Sequence, residues 1–116
     1  MSSLINFNPN GVVNFSPYGS LVIAGTTASA SATFTTTASA NASSVMVYNS
    51  GTTTAYLAFG KTSATAVVAG STETQNAYFV APGAIVVFTK GNNNDTVAVI
   101  YGSGSGNVLI SAGEGA

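Results

Sequence analysis

Apolar and polar residues alternate with a period of two along most of the chain, between short stretches rich in Gly, Pro, Asn and Ser. This pattern is typical of β-strands that bury one face and are separated by turns. The candidate strands recur about every ten residues. They cover residues 11–16, 20–24, 29–37, 44–49, 54–59, 65–69, 76–80, 83–89, 96–101 and 107–111. Eight to ten short strands predict an all-β fold, an antiparallel, jelly-roll-like β-sandwich.

The composition supports an all-β protein and one folded unit. Thr, Val, Ile, Tyr and Phe, which favour strands, are common, whereas the helix-favouring residues Glu, Lys, Arg and Gln are nearly absent. The chain has 116 residues, a usual length for one domain. We therefore expect a single β-sandwich domain over residues 1–116, with residues 1–10 a candidate for an extended N-terminal arm.

Two pairs of neighbouring candidate strands are predicted to form hairpins. Strands 44–49 and 54–59 flank Gly51, which suits a tight turn, so we expect them to pair antiparallel. Strands 96–101 and 107–111 flank the Gly-Ser run 102–106, which predicts a flexible hairpin tip. Pro82-Gly83 predicts a turn into a strand that is buried on both faces, and residues 90–95 predict a polar loop.

The predicted core consists of residues on the apolar phase of their strands or in the doubly buried run. These are Val45, Val47, Leu57, Phe59, Ile85, Val87, Val97, Val99, Val108 and Ile110. The segment 26–44 is nearly all Thr, Ala and Ser with Phe34 as its one large side chain, so alone it buries little apolar area. Two alternatives stay open for it, a surface segment of the same monomer or a segment ordered by another subunit.

The charged residues exclude several classes of function. The chain carries only Lys61, Lys90, Glu73, Asp95 and Glu114, and it lacks Arg, His, Cys and Trp. Without His or Cys there is no imidazole base, thiolate nucleophile or usual zinc ligand set. Two lysines make no phosphate-binding patch, and no apolar run is long enough for a membrane helix. We expect no enzyme, no cofactor, and no nucleic-acid or membrane partner.

Four short motifs have a functional and a structural interpretation. The first, Gly102 to Gly106, lacks the Lys and the helix of a phosphate loop, which favours a hairpin tip. The run Asn92 to Asp95 has one carboxylate where calcium loops supply several, which favours a turn. Glu73 and Asp95 are a candidate for a glycosidase acid and base pair, but a chain with three carboxylates has nothing to separate their pKa values. We therefore predict no catalytic, cofactor or metal site. The last motif comprises the sequons Asn41-Ala42-Ser43 and Asn94-Asp95-Thr96, which matter only in a secretory route, and the N-terminal sequence predicts no signal peptide.

The low charge indicates a protein that works in an assembly. The surface expected for this mass carries roughly one charge per 1,200 Å², which gives little repulsion between copies. Protein interfaces are poor in charge and rich in Tyr and Phe at their centres. We expect a homo-oligomer or a subunit bound to a larger structure.

A set of motifs in the last seventy residues or so resembles small virion proteins of tailed bacteriophages. The motifs are Val45-Met46-Val47-Tyr48-Asn49-Ser50-Gly51, Ala55-Tyr56-Leu57-Ala58-Phe59-Gly60, Ala81-Pro82-Gly83-Ala84 and the closing Val108-Leu109-Ile110-Ser111-Ala112-Gly113-Glu114-Gly115. The resemblance implies a β-sandwich decoration or cement protein that binds the outside of the capsid, without enzymatic residues. It also implies a dimer or trimer at a capsid symmetry axis.

The leading hypothesis is therefore a non-enzymatic cement protein that binds the major capsid protein through strand pairing and apolar burial. Its location would be the capsid surface of the virion, after synthesis in the host cytoplasm. Two alternatives remain open: a neck, tail or fibre component of the virion, and a sugar-binding β-sandwich module that uses Tyr and Asn on one face.

Overall fold

A computed structural model of the chain describes residues 15–70 and 78–115, which form eight strands and one short helix. The candidate arm 1–10 and most of the candidate strand 11–16 lie outside the described residues. The elements are β1 (Ser16–Gly25), β2 (Ala30–Thr33), α1 (Thr37–Ala40), β3 (Ser44–Asn49), β4 (Ala55–Gly60), β5 (Tyr78–Val80), β6 (Ile85–Thr89), β7 (Thr96–Tyr101) and β8 (Gly106–Glu114).

The strands form two antiparallel four-stranded sheets. One sheet has the order β1-β8-β3-β6, and the other has the order β2-β7-β4-β5. We call them the first and the second sheet. These two orders are those of a jelly roll, in which strands close in sequence alternate between the two sheets of a sandwich. The predicted all-β, jelly-roll-like sandwich is confirmed.

Both predicted hairpins are wrong, because the strands concerned lie in opposite sheets. β3 pairs with β6 and β8, whereas β4 pairs with β5 and β7. The buried Asn49 turns the chain from one sheet to the other. Its Nδ2 donates to the carbonyls of Thr53 at 2.8 Å and Val80 at 3.0 Å, and its Oδ1 accepts from Tyr101 Oη at 2.7 Å. These bonds hold a wide corner where the sequence predicts a tight turn.

The glycine-rich run 102–106 likewise connects β7 of the second sheet to β8 of the first, and it is no hairpin tip. A Cβ at Gly106 would lie 2.6 Å from Gly51 Cα and 2.8 Å from Tyr101 Oη. The two corners therefore pack on one another, and glycine is needed at this position for close approach rather than for flexibility.

Seven of the ten predicted core residues are buried. They are Val45, Val47, Leu57, Val97, Val99, Val108 and Ile110. Phe59 is partly buried against this core. The prediction is wrong for Ile85, which is 60% exposed, and for Val87, because β6 is an edge strand with one buried face rather than two. Val86 and Phe88 are the β6 residues that pack on the core.

The segment 26–44 is ordered within the chain itself. β2 pairs with β7 over four residues, Phe34 is buried in the core, and α1 is capped by the Thr36 side chain. The predicted strand 65–69 is wrong, because residues 61–70 form no strand and lie instead on the outer face of the second sheet.

Candidate docking surface

Part of the outer face of the second sheet, around Ala58 and Ala98, is covered by residues 61–70, which we call the cover segment. Ala66 of the cover segment packs with Ala58 of β4 and Ala98 of β7, and all three are buried. The segment turns back at Gly60, where a Cβ would lie 2.0 Å from the Ser63 carbonyl oxygen. Glycine is therefore required there, because any side chain would collide with backbone.

Two hydrogen bonds hold the cover segment on the second sheet. Thr62, which has a positive φ of 64°, donates its N–H to Asp95 Oδ1 at 2.8 Å. Ala66 donates its N–H to Ser29 Oγ at 2.9 Å. A β-branched residue at positive φ is strained, so the Asp95 carboxylate stabilises a backbone conformation that Thr62 adopts unfavourably by itself.

The outer face of the first sheet carries a row of large apolar side chains that crosses all four strands. Val22 pairs with Leu109, Leu109 with Tyr48, and Tyr48 with Ile85. We call these four residues the apolar stripe. Their side chains are 59%, 42%, 36% and 60% exposed in the order Val22, Leu109, Tyr48, Ile85. Three strand spacings make the stripe about 14 Å long, and no described segment covers it.

The next row of this face is also uncharged and forms a groove with the stripe. Ser20, Ser111, Met46 and Val87 follow one another across the strands, and Ser20 Oγ donates to Ser111 Oγ at 3.0 Å. The groove between the rows has a volume of about 290 Å³. Large exposed apolar patches are frequent at interaction sites, so this face is the candidate docking surface.

The charged side chains of the described residues gather away from this face, where β6, β8 and β4 end and β7 begins. Glu114 of β8 accepts from the Ser43 N–H at 3.0 Å and from the Ser43 hydroxyl. The two Ser43 hydrogen bonds and the nearby Lys90 hold the pKa of Glu114 below its usual value. Bonds from the Thr62 N–H and the Thr96 hydroxyl lower the pKa of Asp95.

Residues 90–95 form the predicted polar loop between β6 and β7, and within it the Lys90 side chain is buried. Its Nζ donates to the carbonyls of Ala40 at 3.0 Å, Gly91 at 3.3 Å and Asn94. Burial lowers the pKa of Lys90, and the carboxylates of Asp95 and Glu114 oppose that change. The Gly91 and Asn94 carbonyl oxygens, which could otherwise bind a metal ion in this loop, therefore accept hydrogen bonds from the Lys90 ammonium group.

The other candidate residues are not brought together into a reactive site. Glu73 lies outside the described residues, and the Asp95 carboxylate is engaged by Thr62 and Thr96. Residues 102–106 form the corner before β8 and precede no helix. Among residues 15–70 and 78–115, no three acidic, His or Cys side chains are grouped to hold a metal ion.

The apolar stripe was not predicted from the sequence, although a signal for it was present. β3 and β8 carry apolar residues on both phases, and the phase of Val45, Val47, Val108 and Ile110 was correctly assigned to the core. Tyr48 and Leu109 lie on the opposite phase, so they had to face outwards. Their alignment with Val22 and Ile85 depends on the pairing of strands far apart in sequence.

Comparisons with protein-family models, curated proteins and solved structures found no match to this chain. None of the helices in the part of the chain that the structure describes is long and apolar enough to cross a membrane.

Proposed function

We propose that this chain is a non-enzymatic structural protein of a bacteriophage virion, and that it acts as a cement protein on the outside of the capsid. In this proposal the first sheet faces the major capsid protein, and the apolar stripe is the centre of the contact. The protein binds neighbouring shell subunits and stabilises the shell.

The apolar stripe is the observation that carries the proposal. The four residues of the apolar stripe are exposed in one row. Burying them against another surface favours binding by about 25 cal/mol per Å² of apolar area removed from water. The rest of the same face adds uncharged side chains, which suits the charge-poor centre of an interface.

Two further features support a role in assembly. The jelly-roll strand order is one that capsid and lectin domains use, and the last seventy residues or so resemble small virion proteins of tailed phages. Fold alone does not define function. The proposal that this protein binds a partner therefore depends on the exposed apolar stripe. The fold and the resemblance are the reasons for proposing the major capsid protein as that partner.

A binding measurement with capsid shells that lack this protein tests the proposal. The purified protein is added to the shells, and sedimentation measures the bound fraction. Leu109→Lys places a charge in the stripe, and Val68→Lys places the same charge on the cover segment of the opposite face. Leu109 and Val68 are 42% and 40% exposed, so the two variants are matched. We expect Leu109→Lys to lose binding and Val68→Lys to bind like the wild type.

Equal binding by all three proteins would remove the stripe from the contact, and no binding by the wild type would overturn the cement proposal. Salt gives a second test. Raising salt from about 0.05 M to 1 M shortens the screening length from roughly 14 Å to about 3 Å. An apolar contact survives this change, so release of the protein at high salt would contradict an uncharged attachment.

Copy number separates a cement protein from a neck, tail or fibre component. Quantified gel bands of purified virions should show this protein near the abundance of the major capsid protein. A few tens of copies per particle would favour the neck or tail instead.

A further inference from the structure

Among the described strands, β6 is an edge strand of the first sheet, and its outer edge lies next to the apolar stripe. Lys90 N donates to Ser43 O at 2.7 Å and Asn49 N donates to Ala84 O at 3.2 Å, which fixes the phase of the β3 and β6 ladder. Even-numbered residues of β6 therefore bond to β3. The N–H and C=O groups of Ile85, Val87 and Thr89 point to the other side, where no strand within residues 15–70 and 78–115 pairs with them.

This edge lacks the features by which proteins usually prevent strand addition. Lysine side chains, prolines, bulges and very short strands protect most edges. β6 has five residues, none charged, proline or bulged, and the neighbouring Lys90 turns its ammonium inwards onto backbone carbonyls. The edges of the second sheet are β2 and β5, with only four and three residues.

The other edge of the first sheet is less open. β1 carries Pro17 and a register irregularity between Pro17 and Gly19. Beside this part of β1, Gly19, Ser20 and Leu21 border a pocket whose opposite side is the chain's own segment 33–36 with Ser39. β6 is therefore the better edge for an added strand.

We propose that β6 pairs with β6 of a second copy of this chain, antiparallel and around a two-fold axis at Val87. The three outward-pointing residues are spaced evenly about Val87, so the edge is complementary to itself. Val87 then faces the second copy's Val87, and Ile85 faces the second copy's Thr89. Three such pairs make about six main-chain hydrogen bonds, two for each pair.

The pairing joins the first sheets of two copies into one eight-stranded sheet. Residues paired across an antiparallel ladder direct their side chains to the same face, so the two apolar stripes lie on one continuous surface. The net charge of −1 per copy offers little repulsion to the approach. This inference goes beyond the proposed function and stands without it, because it concerns self-association alone.

Single cysteines in β6 test both the partner and the register, because the chain has no cysteine of its own. With Val87→Cys, the two Cα atoms face each other at about 5.5 Å, within the roughly 4.4–6.8 Å that a disulfide spans. With Ile85→Cys, the two positions lie four residues apart along the ladder, about 14 Å. We expect mild oxidation to link Val87→Cys into a species of twice the 11.4 kDa chain mass, and to leave Ile85→Cys unlinked.

Equal crosslinking of the two variants, or none of Val87→Cys, would overturn the register. Light scattering of the variants Val87→Lys and Val22→Lys tests the edge itself. Both lysines lie on the outer face of an edge strand in the first sheet. Val87→Lys brings two like charges together at the axis, so its mass should halve, whereas Val22→Lys should keep the dimer mass.

A wild-type protein that stays monomeric from micromolar to millimolar concentration would overturn the inference, as would a dimer of Val87→Lys. Circular dichroism of each variant confirms that a change in mass reflects assembly rather than unfolding. Shell binding is measured separately, so a wild-type protein that is monomeric and still binds shells refutes this inference alone.

Discussion

The centres of the two outer faces of the sandwich carry side chains of different size. The second sheet presents Ala58 and Ala98, which are buried beneath the cover segment. The first sheet presents Tyr48 and Leu109, which are among the larger exposed apolar side chains of the described residues. The small side chains of Ala58 and Ala98 let a segment of the same chain lie close to the strands. The large side chains of Tyr48 and Leu109 protrude from the first sheet and are partly exposed to solvent.

The difference indicates which face is packed against a described segment of the same chain. The cover segment has its own backbone anchors at Asp95 and Ser29, and it removes Ala58 and Ala98 of the second sheet's outer face from solvent. Within residues 15–70 and 78–115, no segment is anchored on the first sheet's outer face in this way, and the apolar stripe is exposed there. One face therefore contributes to the stability of the monomer, and the other can contribute to binding.

The largest difference between the two faces is expected when a carboxylate is placed on each of them. Ala98→Asp buries an unpaired charge beneath the cover segment, so we expect the free energy of unfolding to fall by about 4 kcal/mol or more, or folding to fail. Leu109→Asp leaves the new charge in water and should change stability by only about 0.5 kcal/mol. Denaturant unfolding of the two variants measures the difference. Equal losses would mean that the first face is also covered.

A smaller effect is expected where the cover segment turns back onto the sheet. In Gly60→Ala the new Cβ meets the Ser63 carbonyl, so the turn must shift, and we expect a loss of about 1–3 kcal/mol. Gly102→Ala is the control, because its Cβ would meet only Val68 Cγ1 at 3.7 Å and Tyr56 Cε1 at 4.0 Å, both ordinary contacts. Faster amide exchange at Ala66 in Gly60→Ala would localise the effect. Unchanged stability would show that the cover segment does not depend on this turn.

Local alternation was sufficient to predict the strands but not their partners. The bounds of β3 and β7 agree with the predicted 44–49 and 96–101, because turn residues flank both runs. Their pairing was predicted wrongly because six of the seven connections between consecutive strands pass from one sheet to the other. Tight hairpins are the local expectation, but here the buried side chain of Asn49 stabilises a corner through contacts far away in sequence.

The burial of β6 could not be predicted from its own residues. The run Ile85 to Phe88 is apolar on both phases, which is typical of a central strand as well as of an edge strand with an exposed apolar face. Only the sheet order distinguishes the two cases. The same ambiguity concealed the candidate docking surface, since its four residues come from strands that are brought together by long-range pairing.

The smallest effect concerns pH and the anchor of the cover segment. The pKa of Asp95 lies below its ordinary 3.8 because the folded state donates hydrogen bonds to the ionised carboxylate. A carboxylate with a lowered pKa stabilises the fold above its unfolded pKa, and this contribution disappears as the pH falls through the folded value. Stability should therefore be level near neutral pH and fall below about pH 4.

Asp95→Asn tests this origin of the acid sensitivity, because the amide cannot ionise. The variant should be less stable than the wild type at pH 7 and should lose less stability between pH 7 and pH 3, as measured by denaturant unfolding. Glu114→Gln is the matched change at the end of the first sheet, where the Ser43 bonds lower the pKa of Glu114 in the same direction. Only Asp95→Asn should loosen the cover segment, since Glu114 does not contact it. Equal amide exchange at Ala66 in the two variants would contradict the role of Asp95 as the anchor of the covered face.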